Sequence, residues 1–155
     1  MVMLADPPQT EIAIIQMTNA FRREQKLGTL SSNKKLAAAA RAYAAYLART
    51  GTLSHSADGR TMDARVRAQG YTFCWLAENL SFRRDAKGFA TKALAGTVVT
   101  GWRNSPSHRA NMVSPKVTEI GVGVARAPGA SPTYYSVQIM GRPPGKGCPA
   151  VPVRR

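Results

Sequence analysis

The sequence predicts one mixed α/β domain. Three observations carry that reading. Apolar residues recur at threes and fours between Asn33 and Gly51, as on one face of a helix. Bulky and small residues alternate from Ile120 to Ala125, and a second alternating run covers Tyr134 to Met140, as in strands. A chain of 155 residues is long enough for one buried core and too short to require two domains.

Taken in order, Thr10 reads as the N-cap of a first helix. That helix carries Ile12, Ile15 and Met17, runs through Leu27 and is closed by Gly28. Asn33 caps a second helix with Leu36, Ala39, Ala40, Tyr43, Ala44 and Leu47 on one face and Gly51 at its end. A loop from Leu53 to Gly59 holds His55 and the Asp58-Gly59 turn signal. Thr61 caps a short basic helix from Met62 to Gln69, and Gly70 stops it. Tyr71 to Leu80 is aromatic and strand-like, and Glu78 interrupts it. Asp85 or a neighbour opens a helix to about Trp102, with Phe89, Ala93, Leu94, Val98 and Trp102 as its stripe. Ser105-Pro106-Ser107 starts a helical turn bearing His108, Arg109 and Met112, which Pro115 ends.

Beyond it, Ile120, Val122 and Val124 form a bulky strand face, and the small opposite face of Gly121 and Gly123 lets a helix press on the sheet. After a Gly/Pro loop, Tyr134 to Met140 returns as an antiparallel partner. Tyr135, Val137 and Ile139 face one way; Tyr134, Ser136, Gln138 and Met140 face the other. Residues 10–142 make the domain. Residues 1–9 and 143–155 are flexible or extended tails, and Ala5 to Gln9 read like the frayed start of a mature secreted chain.

Composition narrows the function classes. No run reaches the roughly 18–20 apolar residues of a membrane span, which excludes a helical transmembrane segment within this sequence. Lys and Arg number 22 against 8 Asp and Glu, a net charge of +14. The basic residues, among them Arg22, Arg65, Arg67, Arg154 and Arg155, are scattered, so a diffuse positive surface with weak, nonspecific affinity for polyanions is expected. Cys74 and Cys148 allow one intramolecular pairing, whose loop the chain-entropy model values at roughly 4–5 kcal/mol. That disulfide would imply an oxidising compartment; the alternative is two buried free thiols.

The polar residues that stand out are His55, Glu78 and His108, each at a different irregular junction. No local metal spacing links them, so they meet only if folding brings them together. Converged, two imidazoles and a carboxylate match a divalent-ion site with open positions, and they equally match a hydrogen-bonded network without metal. Taken singly, each is more often structural. Serines flank both histidines, yet no nucleophile elbow is present.

In sequence order, Asn19…Arg22, Leu53-Ser54-His55-Ser56, Ala77-Glu78-Asn79-Leu80, Trp102…Ser105-Pro106-Ser107-His108-Arg109-Ala110-Asn111-Met112, Glu119-Ile120-Gly121-Val122-Gly123 and Tyr134-Tyr135…Gln138 resemble the bacterial branch of the CAP superfamily, the SCP domain. The resemblance implies a three-layer α-β-α sandwich with a small central antiparallel sheet. A monomer is expected separately, and the resemblance also implies secretion or a periplasmic location. It places His55, Glu78 and His108, with Ser105, Asn79 and Gln138, along a central ligand-binding cleft that can hold zinc or another divalent ion. Ala77 replaces the glycine of the Gly-Glu-Asn-Leu motif, and Ser105 stands where animal and plant members carry a second glutamate. With that carboxylate missing, divalent binding is expected to be weaker and more sensitive to pH. Several members resemble lipid and sterol carriers, so an extracellular lipid or sterol is the first ligand class implied. A hydrolase using His108, His55 and Glu78, and a charge-driven polyanion binder, are the alternatives.

Overall fold

A computed structural model describes residues Met1 to Val153; Arg154 and Arg155, the end of the expected tail, lie outside the described residues. Among the described residues, five helices surround one four-stranded sheet. Helix α1 spans Pro7–Glu24, strand β1 Ser31–Ser32, α2 Lys34–Thr50, α3 Met62–Ala68, β2 Trp75–Arg84, α4 Thr91–Arg103, α5 Pro106–Met112, β3 Glu119–Arg126 and β4 Thr133–Arg142. The sheet order is β1-β3-β4-β2. β4 pairs antiparallel with both β3 and β2, and β1 pairs parallel with β3.

The layers follow from the two faces of this sheet. On one side Ile120, Val122, Val124, Tyr134 and Met140 pack with Ile14 and Phe21 of α1 and Leu94, Val98 and Trp102 of α4. On the other, Val137, Ile139 and Tyr135 pack with Leu36, Tyr43 and Leu47 of α2 and Val66 of α3. The small face of β3 lies under α2: a Cβ at Gly121 would overlap the backbone of Leu36 and Ala37, and one at Gly123 that of Ala40 and Arg41. The three-layer arrangement and the β3–β4 hairpin agree with expectation, and both faces of β4 are buried.

The element boundaries depart from the sequence reading in several places. Asp6, not Thr10, caps α1, its carboxylate accepting from the Gln9 amide at 2.8 Å. Pro7 fits the first helical position because it has no amide to leave unsatisfied. Residues 7–9 are therefore helical, and Thr10 is buried, bonding back to the Asp6 carbonyl. Ile12 is exposed, while Ala13, Ile14, Thr18 and Phe21 form the buried face. α1 ends before Gly28: Lys26 takes the left-handed conformation (φ 59°), and Leu27 and Lys26 donate to the carbonyls of Arg22 and Arg23. Ala90, not Asp85, stands at the N-cap of α4. Asp85 instead orders its own turn, accepting from the Lys87 amide at 2.8 Å, and Ala93 lies outside the buried stripe. Strand β2 begins at Trp75 and continues to Arg84, beyond the Tyr71–Leu80 expectation. The parallel β1 has no periodicity that a two-residue strand could display.

Asn33, Gly51 and Thr61 are placed as read. Asn33 accepts from two α2 amides, Gly51 adopts φ 67°, and Thr61 caps α3. The outer edge of β2 is closed to another strand where it meets α4 and α5. The Leu80 carbonyl accepts from Trp102 Nε1 at 2.9 Å, and that of Glu78 from Asn111 Nδ2 at 3.3 Å.

Cys74 and Cys148 form a disulfide, and the free-thiol alternative falls. Beyond it, residues 149–153 lie as an extended strap. The Val151 amide donates to the Phe73 carbonyl at 2.9 Å, and Arg67 Nη2 donates to the Val151 carbonyl at 2.7 Å. Replacing both cysteines by serine should free this strap without opening the core, because the tail can detach alone. Trypsin should then cut rapidly after Lys146. The stability loss should fall below the roughly 4–5 kcal/mol that the chain-entropy model gives for a full 74-residue loop. An uncut tail in the double variant would contradict this.

Candidate functional site

Glu78 sits mid-strand in β2, and its side chain is 1% exposed. A carboxylate so placed needs partners, since burying the ion unpaired costs several kcal/mol. Arg65 of α3 supplies the main one. Its Nη2 reaches both carboxylate oxygens, at 3.0 and 2.9 Å, and also donates to the His55 carbonyl at 3.1 Å. Its Nη1 donates to Asp58 Oδ1 at 3.1 Å and to the Arg60 carbonyl at 3.0 Å. The guanidinium lies 3.5 Å above the Tyr43 ring of α2. Arg65 thus ties the 53–60 loop, β2 and α2 together, and its side chain is 2% exposed.

His55 meets Glu78 through Nδ1 at 2.8 Å, while 62% of its side chain stays exposed. The loop reaches this position partly through Tyr43, whose hydroxyl bonds the Ser54 carbonyl and accepts from the Ala57 amide at 3.1 Å. The hydrogen bond to Glu78 holds the His55 imidazole above its usual range, against the opposing effect of partial burial. His108, in α5, is held below it by burial and by the nearby charge of His55. The backbone of His108 lies close to the Glu78 strand, where Asn79, the next residue, donates to its carbonyl. A protonated His55 favours the folded state below about pH 6.5, and that contribution disappears as pH rises through its higher folded-state value. His108 has the reverse sign: its contribution is present above about pH 6.5 and is lost as pH falls through the folded-state value. A His55→Gln variant should accordingly lose more stability at pH 5.5 than at pH 8, which urea midpoints at the two values would show.

The remaining expected cleft residues divide. Asn79 and Gln138 are fully buried, with their amides used inside the protein. Asn79 Nδ2 donates to Gln138 Oε1 at 3.0 Å and to the His108 carbonyl at 3.1 Å. Its Oδ1 accepts from Asn111 Nδ2 at 2.9 Å, and Gln138 Nε2 donates to Thr18 at 2.9 Å. This chain of amides positions α5 and the backbone that carries His108, so both residues act as struts and not as ligand-facing groups. Ser105 is the N-cap residue of α5, but its hydroxyl makes no capping bond. Neither Ser105 nor His108 borders the groove described next.

That groove, about 1140 Å³ in volume, runs from His55, Glu78 and Asn111 along Met62, Trp75, Leu76 and the strap residues Val151, Pro152 and Val153. Lys116 lies 4.1 Å over the exposed Trp75 ring. The groove away from His55 is mainly apolar, with Thr61, Asp63 and Arg67 interspersed, and its head is polar.

The metal expected from the resemblance does not fit this donor set. Both oxygens of Glu78 face a guanidinium within 3.0 Å, so a divalent ion there would stand beside a fixed positive charge and a carboxylate already shared. Among the described residues no group of three or more His, Cys, Asp or Glu side chains could hold a metal ion. Arg65, Asp58 and Asn111 were missed from the sequence. The available signal was the cost of burying Glu78, which demands a cation; Arg60, Arg65 and Arg67 were all near enough along the chain, and only the fold selects one. Arg22, likewise read as surface charge, is buried, with its guanidinium on the carbonyls of Gly28, Met112 and Ser114.

A sheet sandwiched between helix layers, with a histidine–glutamate cleft at its edge, defines an SCP-type domain. The model of the cysteine-rich secretory protein family, CAP, matches residues 15–140, and the chain belongs to that family. The uncharacterized protein YkwD of Bacillus subtilis is 29% identical over 134 residues, which is 85% of this chain and 47% of YkwD. The chain thus spans about half the length of that curated relative. A crystal structure of an extracellular SCP-domain protein from Bacillus anthracis matches with a TM-score of 0.73 at 23% identity, over 88% of this chain and 41% of that one. An outer surface protein of Borrelia burgdorferi matches with a TM-score of 0.73 at 21% identity, over 92% of this chain and 99% of its own. These likenesses establish the fold. No helix among the described residues is long and apolar enough to cross a membrane.

Proposed function

We propose that the protein is a secreted, monomeric binding module whose groove takes up an elongated apolar ligand, a lipid or sterol, without a metal ion. The observation that carries this reading is a groove lined mainly by apolar side chains, among them Met62, Trp75, Leu76, Val151 and Val153, that ends in a polar head at His55. A ligand with an apolar body and one polar group matches both ends. Secretion is supported by the Cys74–Cys148 disulfide and by the extracellular or outer-surface description of the structural neighbours.

Titrating the protein with a fluorescent fatty acid and with cholesterol tests the reading. Saturable binding is expected, weakened about tenfold or more by Trp75→Ala, because a half-exposed aromatic wall residue carries much of such contact energy. The melting temperature should barely move, since Trp75 is 41% exposed. Absence of saturable binding, or binding indifferent to Trp75→Ala and Leu76→Ser, overturns it.

One observation favours hydrolysis as a second reading. His55 is oriented by a buried carboxylate through Nδ1 and exposes most of its ring, as a general base acting on water would. Among the described residues no hydroxyl bonds to His55, so water is the only nucleophile this arrangement offers. Ester turnover lost in His55→Ala would support this reading, and turnover unchanged in that variant would remove it.

A further inference from the structure

β2 is an edge strand, so every second residue turns its backbone N–H and C=O away from the sheet. Glu78 and Leu80 belong to this set, because their carbonyls accept from Asn111 Nδ2 and Trp102 Nε1 outside the sheet. Leu76, two residues before Glu78, points the same way. Just before the strand, the Phe73 carbonyl accepts from the strap amide of Val151 at 2.9 Å. The edge is therefore covered by the strap at one end and by α5 and α4 at the other. Between these covers, the N–H and C=O of Leu76 and the N–H of Glu78 have no partner among the described residues.

This opening lies inside the groove, which Leu76, Ala77 and Glu78 all line. Trp75 and Val151 stand at one end of it, and His55, bonded to Glu78, at the other. A ligand that reaches from the apolar part of the groove to His55 must cross the open edge. Solvent serves these backbone groups until a ligand displaces it. A sterol nucleus or a plain alkyl chain laid over them would leave two donors and an acceptor dry, and each such loss weakens binding about tenfold.

We infer that the ligand of the groove is an N-acylated peptide, a fatty acyl chain joined through an amide to one or more amino-acid residues. The chain occupies the apolar part, and a residue of the peptide pairs with Leu76 as an added strand would. One extended residue presents an N–H and a C=O on the same side, which is the complement of Leu76. A carboxylate, lacking a donor, offers no such pair. The inference rests on the reading of the groove as a lipid site, and it narrows that reading to amphiphiles that carry an amide.

The test compares two uncharged ligands on the whole chain: dodecanoyl-alanyl-alanine methyl ester, and the analogue in which lactyl units replace both alanines so that esters stand where the N–H groups were. Calorimetry below the aggregation range of both should give saturable binding of the amide form, about tenfold or more tighter than the ester form. Hydrogen exchange read residue by residue should slow at the Leu76 and Glu78 amides when the amide form binds, with Ala77, which faces β4, as the internal reference. Leu76→Pro deletes the outward N–H, a change that edge strands tolerate, and should weaken the amide form beyond the loss caused by Leu76→Ala. If the proline variant does not fold, the ligand pair alone decides. Equal affinities for the two ligands, or unchanged exchange at Leu76 and Glu78, overturn the inference; the lipid reading survives that result if Trp75→Ala weakens both ligands. Binding of neither ligand overturns the inference as well, and the fatty-acid titration then decides the lipid reading separately.

Discussion

Replacing Arg65 by alanine is expected to destabilise the protein by roughly 3–5 kcal/mol, the usual cost of leaving one member of a buried ion pair unmatched. Glu78 would keep only His55, a neutral partner above its folded pKa, and Asp58 would lose one of its two cations. With a chain of 155 residues this corresponds to a melting temperature lower by roughly 6–20 °C. Two controls separate the ion pair from simple loss of volume. Arg65→Lys keeps the charge but not the fork that spans Glu78, Asp58 and two carbonyls, so it should recover only part of the loss. Adding Glu78→Gln to Arg65→Ala removes the orphaned charge and should recover stability relative to Arg65→Ala alone. If the double variant is less stable than the wild type by the sum of the two separate effects, the two side chains act independently and the pairing described above is not what holds them.

Introducing a side chain at the sheet–α2 contact should have an effect as large. Gly121→Val would place a branched side chain where the α2 backbone already stands at Leu36 and Ala37. Backbone cannot rotate aside as a side chain can, so the two layers must separate across a core that includes Leu36, Tyr43 and Leu47. A loss greater than about 3 kcal/mol is expected, the upper end for overpacked cores. Gly96→Val, in α4, is the control. Nothing lies within 4 Å of a Cβ there, and valine is a better helix former than glycine, so stability should be unchanged or slightly raised. Chemical denaturation of the two variants makes the comparison. Similar midpoints would mean that the close approach of β3 to α2 is not required.

The fold was legible in the sequence wherever one period persisted. The α2 stripe, the β3 and β4 alternations and the glycines beneath α2 each specify one packing solution, and the structure follows them. Errors fell at ends, where capping competes among neighbours: Asp6, directly before the prolines of the first turn, outcompetes Thr10, and Lys26 takes the left-handed position that Gly28 was expected to hold. The site was legible as a set of polar outliers but not as a mechanism. His55, Glu78 and His108 stand out because few polar groups interrupt the apolar pattern. Arg65, by contrast, is one arginine among many in a short basic helix, and nothing local distinguishes it from Arg67, whose side chain turns to the strap instead. Asn79 and Gln138, expected along the cleft, are instead fully buried and bonded to each other.

The ownership of the Glu78 carboxylate is tested most directly by zinc calorimetry on the intact chain, run beside His55→Ala. With Arg65 holding both oxygens, wild type and variant should give the same weak, nonsaturating heats at neutral pH, and a chelator should leave the melting temperature of the wild type unchanged. A one-to-one isotherm in the wild type that disappears in His55→Ala would show that the ion displaces the guanidinium, and would contradict the metal-free cleft described here.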